Sequence, residues 1–288
     1  MLNTSTLTRI ARLTRGPAQN IPFATRFLLW IVKLFSPRKS CSTSYRLVAE
    51  YDEGLINIDT SSFIEYEILF RGYYQPTLSE LIKRSVRLGN VCLDVGANVG
   101  AYTLLMAFAA GKDGRIVALE PHPDIAARLR ANIALNNLDN VDVIEAALSD
   151  EDGKATFYVH GNDAFNRGGS GLTSSEVASK PIEVAAVTGA SLEKTADIGR
   201  LDFIKIDVEG SEMMALRELS ELIGRHRPYL IFEHQKTLWY KSGSTIEEAL
   251  ELLSPNDYDL YTLQANVFRS LGHTVPANSD IFCAPRQK

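Results

Sequence analysis

The segment Asp94-Val-Gly96-Ala-Asn98-Val-Gly100 directly follows the apolar run Val91-Cys92-Leu93 and opens an alanine-rich helical pattern. Glycines at such a turn let the backbone approach a ligand closely, and the start of a helix offers free N–H groups. The spacing is Gly-x-x-x-Gly, whereas a dinucleotide turn would read Gly-x-Gly-x-x-Gly. Asp94, two residues ahead of the first glycine, would repel a pyrophosphate. It suits the ammonium of a methionyl tail, met directly or through water. That charge favours S-adenosylmethionine (SAM) over NAD(P). Glu120 ends the next apolar run, Arg115 to Leu119, and a carboxylate there can accept hydrogen bonds from both hydroxyls of a ribose.

A second group of titratable residues follows further along. Phe203-Ile-Lys205-Ile-Asp207-Val-Glu209 places two carboxylates two residues apart at the end of another apolar run. In an open α/β sheet, ligands sit beyond the carboxyl ends of the strands. Asp207 and Glu209 are therefore the leading catalytic pair, acting as base and acceptor anchor or sharing a divalent cation with the acceptor's oxygens. The alternative for Glu209 is a cap on the following helix. Lys205, inside a buried strand, needs a carboxylate partner or a place in the cleft. Glu233-His234 ends a further strand, and His234 is the imidazole best placed to take a proton near neutral pH; a satisfied histidine at a strand end is the other reading. His122 belongs to the cofactor's surroundings or to the surface. The loop Gly161–Ser175, rich in Gly, Ser and Asn, reads equally as a lid over the site or as a plain connection.

These residues are positioned by a regular alternation. Strands at Val91–Leu93, Arg115–Leu119 and Val141–Ile144 alternate with helices at Val99–Ala110 and Pro123–Asn136, which implies a parallel sheet with right-handed crossovers. The middle, Glu151–Arg200, breaks the rhythm with strands at Ala155–Val159 and Ile182–Val187. Alternation resumes with Phe203–Ile206, a helix Ser211–Ile223, the strand Tyr229–Phe232 and a helix Thr245–Leu253. Tyr258–Leu263 and Ile281–Ala284 read as an antiparallel closing pair at the sheet edge. Ahead of the alternation, residues 46–88 form a cap of one strand near Leu55–Ile58 and two helices around Phe63–Phe70 and Leu78–Arg87.

Charge is unevenly spread. All 35 acidic residues lie beyond residue 49, while residues 1–49 carry eight basic ones. An acidic body argues against nucleic acid as a partner. The apolar run Phe27–Val32, interrupted by Arg26 and Lys33, is too short to span a bilayer. It reads as an interfacial amphipathic helix with peripheral membrane contact, an organelle transit segment, or a helix packed on the domain. Cys41, Cys92 and Cys283 have no metal-ligand spacing, and a reducing, cytoplasmic setting is expected. Domains are drawn at 1–45 (extension), 46–88 (cap) and 89–288.

Taken together, Asp94–Gly100, Glu120-Pro121 and Phe203-Ile-Lys-Ile-Asp-Val-Glu-Gly-Ser-Glu212 resemble the FkbM family of methyltransferases over roughly residues 72–285. The resemblance implies a class I Rossmann-like α/β fold, a mostly parallel seven-stranded sheet in the order 3-2-1-4-5-7-6 with helices on both faces. It also implies SAM as cofactor and methyl transfer to a hydroxyl oxygen of a small-molecule or carbohydrate acceptor. By the same resemblance Asp94, Gly96 and Gly100 would hold the methionyl part, with Asn98 lining that loop, and Glu120 the ribose; backbone near Ala147 would read adenine. Two departures stand out: Tyr74-Gln75-Pro76 where the family often has Tyr-Glu-Pro, and Ser191-Leu192-Glu193 where it commonly has Leu-Asp. An NAD(P)-dependent oxidoreductase, or a non-catalytic SAM-binding or membrane-associated protein, is the alternative.

Overall fold

The computed structural model describes residues 46–160, 170–172, 179–254, 257–264, 267–271 and 275–286. The basic N-terminal extension and most of the Gly161–Ser175 loop fall outside these residues.

The cap begins with an antiparallel hairpin, β1 (Arg46–Tyr51) and β2 (Gly54–Asp59), where the sequence indicated one strand. Two helices follow, α1 (Phe63–Arg71) and α2 (Pro76–Ser85), the second started by a proline in its first turn. The alternating part supplies β3 (Val91–Val95), α3 (Ala101–Ala110), β4 (Arg115–Leu119), α4 (Pro123–Leu135) and β5 (Val141–Ile144). Gly111 ends α3, and the His122 ring starts α4 by accepting from the Asp124 N–H at 3.2 Å. The middle segment is a small sheet of its own, β6 (Ala147–Leu148), β7 (Gly153–His160) and β8 (Ser179–Val187), in the order β6-β8-β7. Then come α5 (Gly189–Thr195), β9 (Phe203–Ile206), α6 (Glu212–Glu218), α7 (Ser220–His226), β10 (Tyr229–Gln235), α8 (Lys236–Lys241) and α9 (Ile246–Leu253). The expected single helix from Ser211 to Ile223 is thus two short ones meeting at Leu219. The chain closes with β11 (Tyr258–Gln264), β12 (Val267–Ser270) and β13 (Asn278–Pro285).

The main sheet has the order β5-β4-β3-β9-β10-β13-β11-β12. Strands β5, β4, β3, β9 and β10 are parallel neighbours, and β13 runs antiparallel between β10 and β11. This is the expected 3-2-1-4-5-7-6 order with one strand more. The sheet has eight strands where seven were expected, because β12 folds back on β11 as the edge. The β11 and β13 strands do pair, but not as the edge pair anticipated.

Side chains alternate between the two faces of each strand. On one face Leu93, Val117, Ile204, Ile206, Leu230 and Phe232 pack against α6, α7 and α9. On the other, Cys92, Ile116, Phe203 and Ile231 pack against α3 and, through it, the cap's Tyr51, Ile56, Ile68 and Ile82. The cap therefore has no core apart from the sheet's. Ile82→Ala would cost about 2–5 kcal/mol through the cavity it leaves in this shared layer. Polar ties reinforce the join: Tyr51 donates to the Ala101 carbonyl at 2.9 Å, the Asn57 N–H donates to Asn132 at 2.7 Å, and the buried Glu65 pairs with Arg128. Among the described residues no helix is long and apolar enough to cross a membrane.

Candidate functional site

The order of the sheet reverses between β3 and β9, and a cleft opens there at the carboxyl ends of β3, β4 and β9, where an α/β sheet of this kind takes its ligands. Counting its open mouth it measures about 650 Å³. The glycine turn forms its floor. Gly96 has φ 81°, and a Cβ there would collide with the Asp207 carbonyl oxygen, so only glycine lets the turn lie on the end of β9. Gly96 and Ala97 donate their N–H groups to the Leu119 carbonyl at 3.0 and 2.9 Å, which ties the turn to β4 as well.

Glu120 lines the cleft with 7% of its surface exposed. One carboxylate oxygen accepts from the Asn98 N–H and the other from the His122 N–H, both at 2.9 Å. Each oxygen keeps a lone-pair direction for a further donor. Burial pushes its pKa up to about 7, against the pull of those two hydrogen bonds and of Lys205. Beside it the wall is apolar: Ile125, Ala146, Ala147, Phe157 and Leu172. Ser170 and Leu172 reach the cleft because Gly171 bridges to Tyr158, with N···O distances of 2.8 and 3.2 Å.

The opposite rim is acidic. Asp207 and Glu209 line the cleft, and ligand atoms of Asp207, Glu209 and Glu233 lie within 4.8 Å of one another, close enough to share a divalent cation. Burial, then repulsion by Asp207, pushes the carboxyls of Glu209, Glu233 and Asp280 up from their usual range, Asp280 to about 7. The same carboxylates, after burial, hold the Tyr74 phenol well above its usual value. Gln75, at the family's Tyr-Glu-Pro position, accepts from the Tyr102 hydroxyl at 2.7 Å.

A family model described as the methyltransferase FkbM domain matches residues 94–260, more than half of the chain. The chain belongs to the FkbM methyltransferase family. "Methyltransferase 1" of Beauveria bassiana is 28% identical over 145 residues, 45% of this chain and 58% of that protein. The chain thus spans little more than half the length of that relative. Among solved structures, the methyltransferase FkbM from Methylobacillus flagellatus KT is 16% identical at a TM-score of 0.41, covering 77% of this chain and 52% of that one. An rRNA methylase from Streptococcus thermophilus is 8% identical at 0.45, covering 73% and 95%. Likeness at these values carries no argument about the acceptor, and it lends the expectation of no nucleic-acid partner no support.

Within this FkbM domain the expected site residues part company. Gly96, Asn98, Glu120 and Ala147 line the cleft together with Asp207, Glu209 and His122. Gly100 stands behind them as the first cap of α3, at φ 98°. Asp94 is fully buried and does not reach the cleft wall: strand alternation turns it toward α3, where Thr103 donates to it at 2.6 Å and Lys205 lies 3.3 Å away. His234 is turned away too. It falls on the face opposite Glu233, its ring edge-on to Trp239 at 5.1 Å and its Nδ1 3.1 Å from the Pro276 carbonyl, and burial lowers its pKa. The segment leading into α6 is held by Glu212 rather than Glu209: Glu212 accepts from the N–H groups of Val208 and Gly210, ahead of the helix, and from the Trp239 indole at 2.9 Å. Glu209 itself sits at φ 51°.

Sequence reasoning singled out none of Phe157, Glu233, Asp280 and Tyr74, whereas Leu172 lies in the Gly161–Ser175 loop weighed as a lid. For Glu233 a signal existed. Phe232 pairs with Ile206 across β10 and β9, so Glu233 stands level with Asp207 and on its side of the sheet. Tyr74 stood in the Tyr74-Gln75-Pro76 motif, while Phe157 and Asp280 come from segments distant in sequence with no local mark.

Proposed function

We propose that this protein transfers a methyl group from SAM to a hydroxyl oxygen of a small-molecule or carbohydrate acceptor. The observation that carries this reading is the two-sided cleft: Glu120 with two half-satisfied oxygens on one side, and the carboxylates of Asp207 and Glu209 on the other. When bound, SAM supplies a methyl group activated by its sulfonium. Glu120 would hold the two ribose hydroxyls. Phe157, Leu172 and Ile125 would receive the adenosine, shedding water on contact, and backbone at Ala147 would meet the adenine edge. Asp94, which does not touch the cleft, acts through the turn it underlies.

On the acidic rim, Asp207 accepts the hydroxyl proton as the new bond forms, a contribution of about 10²–10⁴-fold for a well-placed base, while Glu209, whose own proton burial holds, anchors the acceptor. Holding the acceptor in line contributes further, up to about 7–11 kcal/mol in well-oriented systems. The negative rim favours hydroxyl-rich or cationic acceptors and disfavours a phosphate backbone. A divalent cation shared by Asp207, Glu209 and Glu233 would orient the same oxygens.

Calorimetric titration with SAM and with NAD(H) tests the cofactor: saturable binding of SAM alone is expected, and binding of NAD(H) alone would sink the reading. Incubation with labelled SAM and either a metabolite extract or total RNA, each with and without chelator, tests the acceptor. Label in alkali-stable small-molecule ethers supports the proposal, and label confined to RNA overturns it.

A further inference from the structure

Lys205 is 3% exposed in the middle of a strand, yet its ammonium has three partners on different elements. Its Nζ donates to the Gly96 carbonyl at 2.9 Å and lies 3.3 Å from an Asp94 oxygen and 3.6 Å from an Asp207 oxygen. The Tyr102 ring covers it at 5.4 Å from the centroid. We infer that Lys205 is a positioning residue that fastens the glycine turn and fixes the Asp207 carboxylate against it, so that the cofactor side and the acceptor side of the cleft are held in one register.

A lysine that only neutralised Asp94 would have no need of the Gly96 carbonyl. Asp94 and Lys205 are direct neighbours across β3 and β9, so that pairing is available to the side chain without reaching the turn. The third partner, Asp207, opens on the cleft. The chain of contacts therefore runs from a sealed carboxylate, through one ammonium, to a carboxylate on the cleft wall. Backbone contacts follow the same path: the Asp207 N–H donates to the Val95 carbonyl at 3.0 Å, and Gly96 lies against the Asp207 carbonyl. The Gly96 carbonyl takes the ammonium's hydrogen bond, and the two carboxylates balance its charge. Burial alone would drive off its proton, but Asp94 and Asp207 outweigh burial and hold the charge.

The importance of Lys205 to the cofactor rests on the proposed function; its hold on the turn does not. Lys205→Met alone would strand the buried Asp94 charge and risk unfolding. The comparison is therefore between Asp94→Asn and the double variant Asp94→Asn with Lys205→Met, which leaves no buried charge at that pair. Two measurements are made on each: hydrogen exchange of the turn amides from Gly96 to Val99 in the free protein, and calorimetric binding of SAM. Relative to Asp94→Asn, the double variant is expected to exchange those amides roughly tenfold faster or more while still unfolding cooperatively. It is also expected to bind SAM roughly tenfold more weakly, about 1.4 kcal/mol. Unchanged turn exchange overturns the positioning role whatever happens to SAM. Faster exchange in a protein whose wild type binds no SAM leaves the hold on the turn standing and overturns the cofactor reading instead.

Discussion

The two faces of the main sheet start alike and end differently. Near the amino ends of the strands both are hydrocarbon, with Leu93, Ile204 and Leu230 on one side and Cys92, Phe203 and Ile231 on the other. Toward the carboxyl ends the first face stays apolar through Val95, Ile206 and Phe232, whereas the second turns ionic with Asp94, Lys205, Asp207, Glu233 and Asp280. Alternation alone produces this split, since each ionic residue is two or four positions from an apolar one on the same face. Both faces anchor helices, but only the second gathers charge, part of it sealed at Asp94 and Lys205 and part of it open to the cleft at Asp207.

The largest expected effect on this contrast comes from Asp207→Asn. If the ionic face does the chemistry, methyl transfer measured with labelled SAM and a metabolite extract should fall about 10²–10³-fold, while SAM affinity changes only a few-fold. Equal transfer in variant and wild type would remove Asp207 from the reaction. Next comes Glu120→Ala, expected to weaken SAM binding about 100-fold through the loss of two hydrogen bonds to a charged acceptor. The pH dependence has the same source. Glu120 is protonated below about 7 in the free protein, so SAM affinity should rise with pH through that value and then level off, and Glu120→Gln should abolish the rise.

A smaller effect concerns stability. A carboxyl whose pKa is higher in the folded than in the unfolded chain binds its proton more tightly in the native state. Its stabilisation is then greatest below the unfolded value near 4.3 and is lost as pH climbs through the folded one. Glu209, Glu233 and Asp280 are all of this kind, with the Asp280 window closing near 7 and Glu233 shifted in the same direction. The unfolding midpoint should therefore fall between pH 5 and pH 9. Glu233→Gln should unfold roughly 2–4 °C above wild type at pH 9, about 1 kcal/mol, and show little difference at pH 5. The smallest effect is expected on the apolar side. His234→Asn should change transfer per folded molecule by less than about threefold, since the ring touches Trp239 and Pro276 rather than the cleft; a loss of 100-fold would restore it as a base.

The parallel order from β5 to β10 was legible because each strand is a short apolar run bounded by turn residues, and because the Asp94–Gly100 turn fixes where the first crossover begins. Glu120, Asp207 and Glu209 were legible for a related reason: a carboxylate closing an apolar run has nowhere to go but the carboxyl edge of the sheet. The facing of side chains was harder to read. Asp94 and His234 stand near the edge by sequence, yet in strands flanked by apolar residues on both faces nothing local says which way a polar one turns. Of the cap hairpin β2 was read and β1 was not; β1 and β12 escaped for want of strong alternation, as in Val267-Phe-Arg-Ser270, whose edge position leaves Val267 about half exposed at 53%.

The place of β13 has a practical consequence for anyone trimming the gene. The family match ends at residue 260, but the strand that separates β10 from β11 arrives only at residues 278–285. A fragment cut to the family boundaries would truncate β11 and leave β10 as a raw border, with Phe232 and Ile231 stripped of their β13 partners Ile281 and Phe282. Such a piece would be prone to stick to its own copies. Expression from residue 46 through residue 286 avoids that outcome.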